Sequence, residues 1–169
     1  MAISTFGGTT SDNYQLISSV TPTAAATAVN FTGLAVYKKL LLWSNSIVLG
    51  TAGTITLRLN NDSGANNYAW ALRSKNNAAT PVEVDGSGSS FRLNSAANTT
   101  VNYEGYIAFN NCDVTGIKFV EESINQGDSA AGNYYTSGAY RGTSVISEVN
   151  FLVNTTFTAV GTVSLYGVK

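Results

Sequence analysis

Several segments of the chain alternate apolar and polar residues with a period of two. In Thr54-Ile55-Thr56-Leu57-Arg58-Leu59, the side chains of Ile55, Leu57 and Leu59 leave one face and those of Thr54, Thr56 and Arg58 leave the other. Val145, Val149, Phe151 and Val153 share a face opposite Glu148 and Asn150, and Val163 and Leu165 alternate with Thr162, Ser164 and Tyr166. Such alternation marks strands that bury one side and wet the other, as antiparallel sheets do. About ten strands are expected, centred near residues 16, 29, 40, 57, 70, 92, 106, 118, 147 and 164. No segment carries a 3.6-residue apolar stripe with caps. The pattern predicts an all-β, single-domain antiparallel β-sandwich of jelly-roll type over 13–169, behind a flexible N-terminal arm, 1–12.

Between two alternating runs lies Asn60-Asn61-Asp62-Ser63-Gly64-Ala65-Asn66-Asn67. Asp and Asn hydrogen-bond their own backbone and tolerate left-handed conformation, and glycine reaches positive φ without strain. A hairpin turn built on Asn60, Asp62, Gly64 and Asn66 is therefore expected, with Gly64 at positive φ. The stretch 128–134 (Asp-Ser-Ala-Ala-Gly-Asn-Tyr) echoes 62–68 and reads as a second turn. Asn60, Asp62 and Asn66 also offer hard oxygens of the kind calcium takes, but the EF-hand spacing and its closing glutamate are missing. A weak calcium site at Asp62 stays open, and no metal or other cofactor is expected.

Composition narrows the function. The chain has 169 residues, of which 11% are charged, against about 25% in an ordinary soluble protein. Asn, Thr, Ser and Gly take the place of the ions, so the exterior is polar yet nearly neutral. Such a surface packs against other protein with little desolvation cost. The net charge of −1, with Lys and Arg scattered singly, argues against nucleic acid. The start "MAISTFGGTT" shows no basic and apolar signal-peptide regions, and the longest apolar run, Leu40–Trp43, is too short to span a bilayer, so no membrane partner is expected.

Catalysis finds few materials. There is no histidine, which removes Ser-His-Asp and Cys-His arrangements and most catalytic zinc sites. The single cysteine, Cys112, reads as a buried structural thiol. Glu121 and Glu122 are adjacent on one strand and must leave on opposite faces. Glu104, Asp113 and Glu148 could cooperate only if the fold brought them together. No catalytic residue is assigned. Aromatic residues beside the two turn-like stretches, Trp70, Tyr134 and Tyr135, are candidate contacts for a glycan or a partner, with Trp43 and Tyr37 beside the Leu40 run; the simpler reading places Trp43 and Trp70 in the core and the tyrosines at sheet edges.

Five segments in order carry a resemblance: "VNFTGL" leading to "VYKKLLLW", then "ITLRLNNDSGANNYAW", "YEGYIAFNN" with "GIKFVEES", "YYTSGAYRGTSVISEVNFLV", and the closing "GTVSLYGVK". Over about residues 14 to 169 the chain resembles small β-sandwich virion proteins of tailed bacteriophages. Leu59 stands where that pattern often has Phe, and the segment before the last strand is shortened. The resemblance implies a structural component of the virion and does not decide between head and tail. One sandwich with a short N-terminal arm, without coiled-coil heptads or a collagen-like repeat, suits a capsid decoration or cement protein that clamps neighbouring major capsid subunits. The alternative is a tail or fibre protein that binds host-surface carbohydrate. It implies a virion location and carries over no catalytic residue. With the neutral surface, it suggests a homo-oligomer, most simply a trimer.

Overall fold

The computed structural model describes residues 13–75, 82–94, 102–127 and 132–169. The arm at 1–12 and most of the 128–134 echo lie outside the described residues. Within them the chain is all-β, a sandwich of two antiparallel sheets built from twelve strands. The strands are β1 (Gln15–Val20), β2 (Ala28–Thr32), β3 (Lys39–Ile47), β4 (Ile55–Leu59), β5 (Tyr68–Lys75), β6 (Val82–Gly88), β7 (Phe91–Arg92), β8 (Asn102–Phe109), β9 (Lys118–Gly127), β10 (Gly132–Tyr140), β11 (Glu148–Val153) and β12 (Thr162–Val168). Eight form one sheet in the order β1-β12-β3-β8-β9-β10-β5-β6, and four form the other in the order β2-β11-β4-β7.

Period-two patterning sets the layers. Ile55, Leu57 and Leu59 of β4, and Val149 and Phe151 of β11, are fully buried. They face Leu40 and Leu42 of β3, Ile107 and Phe109 of β8, and Val163 and Leu165 of β12 from the larger sheet. Each such side chain contributes about 1.5–3 kcal/mol by leaving water. Aromatic rings close one end, with Tyr68 packed edge-on to Phe91 (5.0 Å between ring centres) and tilted against Tyr140 (4.9 Å).

Ten strand positions expected from the sequence fall in or within a residue of observed strands; β6 and β10 are additional. β10 reads Gly-Asn-Tyr-Tyr-Thr-Ser-Gly-Ala-Tyr, and its inward positions include Thr136 and Gly138, so no apolar stripe announces it. Pairing on both sides makes it a strand, because β9 and β5 each match it residue for residue. At β11 the strand starts at Glu148, so Val145 precedes it, and Asn150 is buried although it lies opposite Val149 and Phe151.

Candidate functional site

Two regions concentrate polar and aromatic side chains. The first is the stretch 60–67, expected to be a hairpin turn. It is not one: β4 pairs with β11 and β7, whereas β5 pairs with β10 and β6. The segment carries the chain from the small sheet to the large one, around a corner of the sandwich.

Asparagines make that corner. Asn60, Asn61 and Asn66 have φ of 56°, 50° and 69°, the left-handed region that Asn tolerates best among residues with a side chain. Gly64 is not among the positive-φ residues. Its role is space: a β-carbon there would collide with the Asn67 amide and come within 3.0 Å of Asp62 Oδ1. The Asn60 Oδ1 accepts the backbone N–H of Ser147 (2.8 Å) and of Glu148 (3.2 Å), and its Nδ2 donates to the Val145 carbonyl (2.9 Å). One side chain thereby fixes the entry to β11.

Asp62 is the hub. Its carboxylate accepts from the Gly64 N–H (2.8 Å), the Asn67 amide (2.8 Å) and the buried Tyr140 hydroxyl (2.8 Å). The Gly64 N–H holds this carboxyl below its usual range; partial burial opposes it, and Tyr140 and Asn67 add to the lowering. The Tyr68 hydroxyl accepts from the Leu59 N–H (3.0 Å) and lies within donating distance of the Leu59 and Asp62 carbonyls. Burial pushes Tyr68 up to about 12 and raises Tyr140 as well. Asn66 Oδ1 faces Ser87 instead, at 3.2 Å. The oxygens that suggested calcium thus point to different partners, and donors already surround the one carboxylate. Among the described residues no group of three or more His, Cys, Asp or Glu side chains converges.

The glycan candidates divide between the two faces of the large sheet. Tyr134 is buried (7% exposed), with Gly132 packed on its ring, and Trp70 lies half-buried against the core. Only Tyr135 points outward, 51% exposed. Successive residues of a strand leave on opposite sides, so Tyr134 and Tyr135 cannot share a ligand.

The second region is this outer face. Register places Trp43 (β3), Tyr106 (β8), Ser123 (β9), Tyr135 (β10), Arg73 (β5) and Glu83 (β6) in one row across six adjacent strands. Two residues along the strands, the next row holds Leu41, Ala108, Glu121, Ser137, Ala71 and Asp85. A third row places Phe119 beside Ala139 and Ala69. Trp43, Tyr106 and Phe119 are all well exposed, and Trp43 stacks on Tyr106 with centroids 6.3 Å apart. Arg73 and Glu83 form an exposed ion pair at 2.9 Å. Sequence reasoning missed Trp43 as a surface residue, although its parity opposite Leu40 and Leu42 was the available signal.

Small residues in the middle of these rows leave a trough. One part, of about 490 Å³, is lined by Tyr106, Ser123, Tyr135, Arg73 and Glu83, and the adjoining part, of about 610 Å³, by Phe119, Ala69 and Ala139. Ala71, Asp85, Glu121 and Ser137 line both parts.

Other titratable groups are set apart from the trough. Glu104 accepts from Ser46 (2.9 Å), Glu148 sits on the small sheet, and Asp113 lies in the loop before β9, so these acids do not meet. Cys112 is fully buried, and burial pushes its thiol up to about 12. Lys118 is enclosed beside it and donates to the Val114 and Gly116 carbonyls (2.7 and 2.6 Å). Glu122, beneath the trough on the inner side, is 4% exposed, and neither carboxylate oxygen has a hydrogen-bond partner among the described residues. Burial drives its pKa well up; the neighbouring Thr136 hydroxyl acts against this, but donates to the Arg92 carbonyl. Comparisons with protein-family models, with curated proteins and with solved structures gave no match.

Proposed function

We propose that the chain is a structural protein of a tailed-bacteriophage particle, a capsid decoration or cement protein with a jelly-roll body. The strand order supports the jelly-roll body, and the resemblance of the sequence segments supports the virion role. With the hairpins β5-β6 and β9-β10 set aside, the remaining eight strands fall into two four-stranded sets, β1-β12-β3-β8 and β2-β11-β4-β7. Sequence neighbours among them alternate between sheets from β1 through β4, which supports a double Greek key. The two hairpins extend one sheet to eight strands and leave the other at four.

The scarcity of charge supports the same role. A sandwich has open edges, here β1 and β6 in the large sheet and β2 and β7 in the small one. Natural proteins blunt or cover such edges. A nearly neutral chain loses little by covering them with copies of itself and with major capsid protein, which fits a homotrimer at the particle surface.

Two measurements test this. Mass spectrometry of purified particles should find the chain in stoichiometric amounts, with cryo-electron microscopy locating it on the capsid. Light scattering of the isolated protein should give three times the 17.7 kDa chain mass. A chain absent from particles overturns the virion reading, and a monomeric mass overturns the trimer. The tail or fibre alternative is favoured by one observation, the exposed aromatic trough.

A further inference from the structure

We infer that the trough on the outer face of the eight-stranded sheet is a carbohydrate-binding cleft for a neutral or amino-sugar oligosaccharide. This set of residues differs from the one the sequence suggested: Tyr135 is kept, Tyr134 is dropped, Trp70 borders the Phe119 end while packing against the core, and Tyr106 and Phe119 are added. The cleft does not depend on where the protein sits in a particle.

Geometry comes first. Tyr106 and Tyr135 stand two strands apart in one row, with Ser123 between them. Adjacent strands lie about 4.8 Å apart, so the two tyrosines are separated by about 10 Å, with a small residue at the floor between them. Trp43 stacks behind Tyr106 and braces that wall. Along the strands, the trough runs from Ser123 to Phe119, four residues, or about 13 Å. That is the length of a short oligosaccharide segment; Glu121 stands between Ser123 and Phe119 on β9, so the open course runs beside it, over Ser137, Ala71 and Ala139.

Chemistry chooses the occupant. The aromatic faces carry negative quadrupole charge and attract the polarised C–H groups on the flat side of a sugar ring. The sugar's hydroxyls point outward around its rim, where Glu121, Asp85, Glu83 and Arg73 supply acceptors and donors. An apolar protein partner would instead have to strip water from Glu121 and Asp85, which stand in the middle of the trough, and interface centres are depleted in such charges. Three carboxylates against one guanidinium leave the face negative. A sialylated or uronate-containing glycan would be repelled, and a neutral or amino-sugar chain would not.

The test uses the full chain on an array printed with neutral, amino-sugar and acidic oligosaccharides. Saturable binding to neutral or amino-sugar probes is expected, weakened at least tenfold by Tyr106→Ala or Tyr135→Ala and largely retained by Tyr135→Phe, which keeps the ring. Unchanged urea midpoints in the alanine variants ensure that lost binding is not lost folding. A blank array overturns the inference, as does binding confined to acidic probes or binding that survives the Tyr106→Ala/Tyr135→Ala pair. So does a particle reconstruction with a protein neighbour seated on this face. A blank array leaves the virion reading standing, whereas a chain absent from particles leaves a positive array standing.

Discussion

The corner around Asp62 and the outer face around Tyr135 draw on similar residues and use them in opposite ways. At the corner, three donors converge on one carboxylate, a tyrosine hydroxyl bonds the backbone of β4, and Asn60 bonds the backbone entering β11. On the outer face, four large aromatic residues stand 40–59% exposed, beside carboxylates in a trough. Polar groups committed to one another fix a fold, because leaving a buried one unmade costs its desolvation. Rings and acids facing water together are available to a ligand. Residue type does not separate the two regions; the partners of each group do.

The contrast is broken most strongly by removing the hub. Asp62→Ala deprives Gly64, Asn67 and Tyr140 of their acceptor, and the loss should be about 3 kcal/mol in urea unfolding at neutral pH. Since the folded carboxyl lies below its ordinary 3.8, its stabilisation is present above that pH and is lost as pH falls through the lowered value. The gap between the wild type and the variant should therefore narrow in acid.

Gly64→Val comes next. Crowding against Asn67 and Asp62 Oδ1, rather than a forbidden φ, should cost about 1–3 kcal/mol by the same assay. Gly64→Ala should cost a substantial part of this, because the first carbon already collides.

Glu122 sharpens the comparison by reversing the sign. Its folded pKa lies well above 4.5, so its contribution to stability is complete below 4.5 and is lost as pH rises through the raised value. Glu122→Gln should raise the thermal midpoint at pH 8, and the gain should vanish below pH 4.5. A variant less stable at pH 8 would contradict a carboxylate with no hydrogen-bond partner among the described residues. The smallest effect belongs to the outer face, where Tyr135→Ala should change unfolding free energy by less than about 0.5 kcal/mol.

Much of the sandwich was legible in the sequence because its strands alternate. Ile55, Leu57 and Leu59 point to the core as their spacing required, and Glu121 and Glu122 part to opposite faces. β10 was hidden because Thr136 and Gly138 occupy inward positions, where pairing and not hydrophobicity makes the strand. The corner reads in the sequence as a hairpin turn, and the turn is there without the hairpin. Local chemistry, Asn at positive φ and a self-bonding Asp, is the same whether the next strand joins its neighbour or the opposite sheet. The trough was out of reach for a further reason. It is assembled by register from β8, β9, β10, β5 and β6, and no single segment contains two of its aromatic walls.

The division of labour between the two regions is tested most directly by urea unfolding of Asp62→Ala and Tyr135→Ala side by side with the wild type. The expected result is a large loss for Asp62→Ala and a Tyr135→Ala curve superimposed on the wild type. Equal losses, or a larger one for Tyr135→Ala, would mean that the outer aromatic residues hold the fold together and that the corner does not.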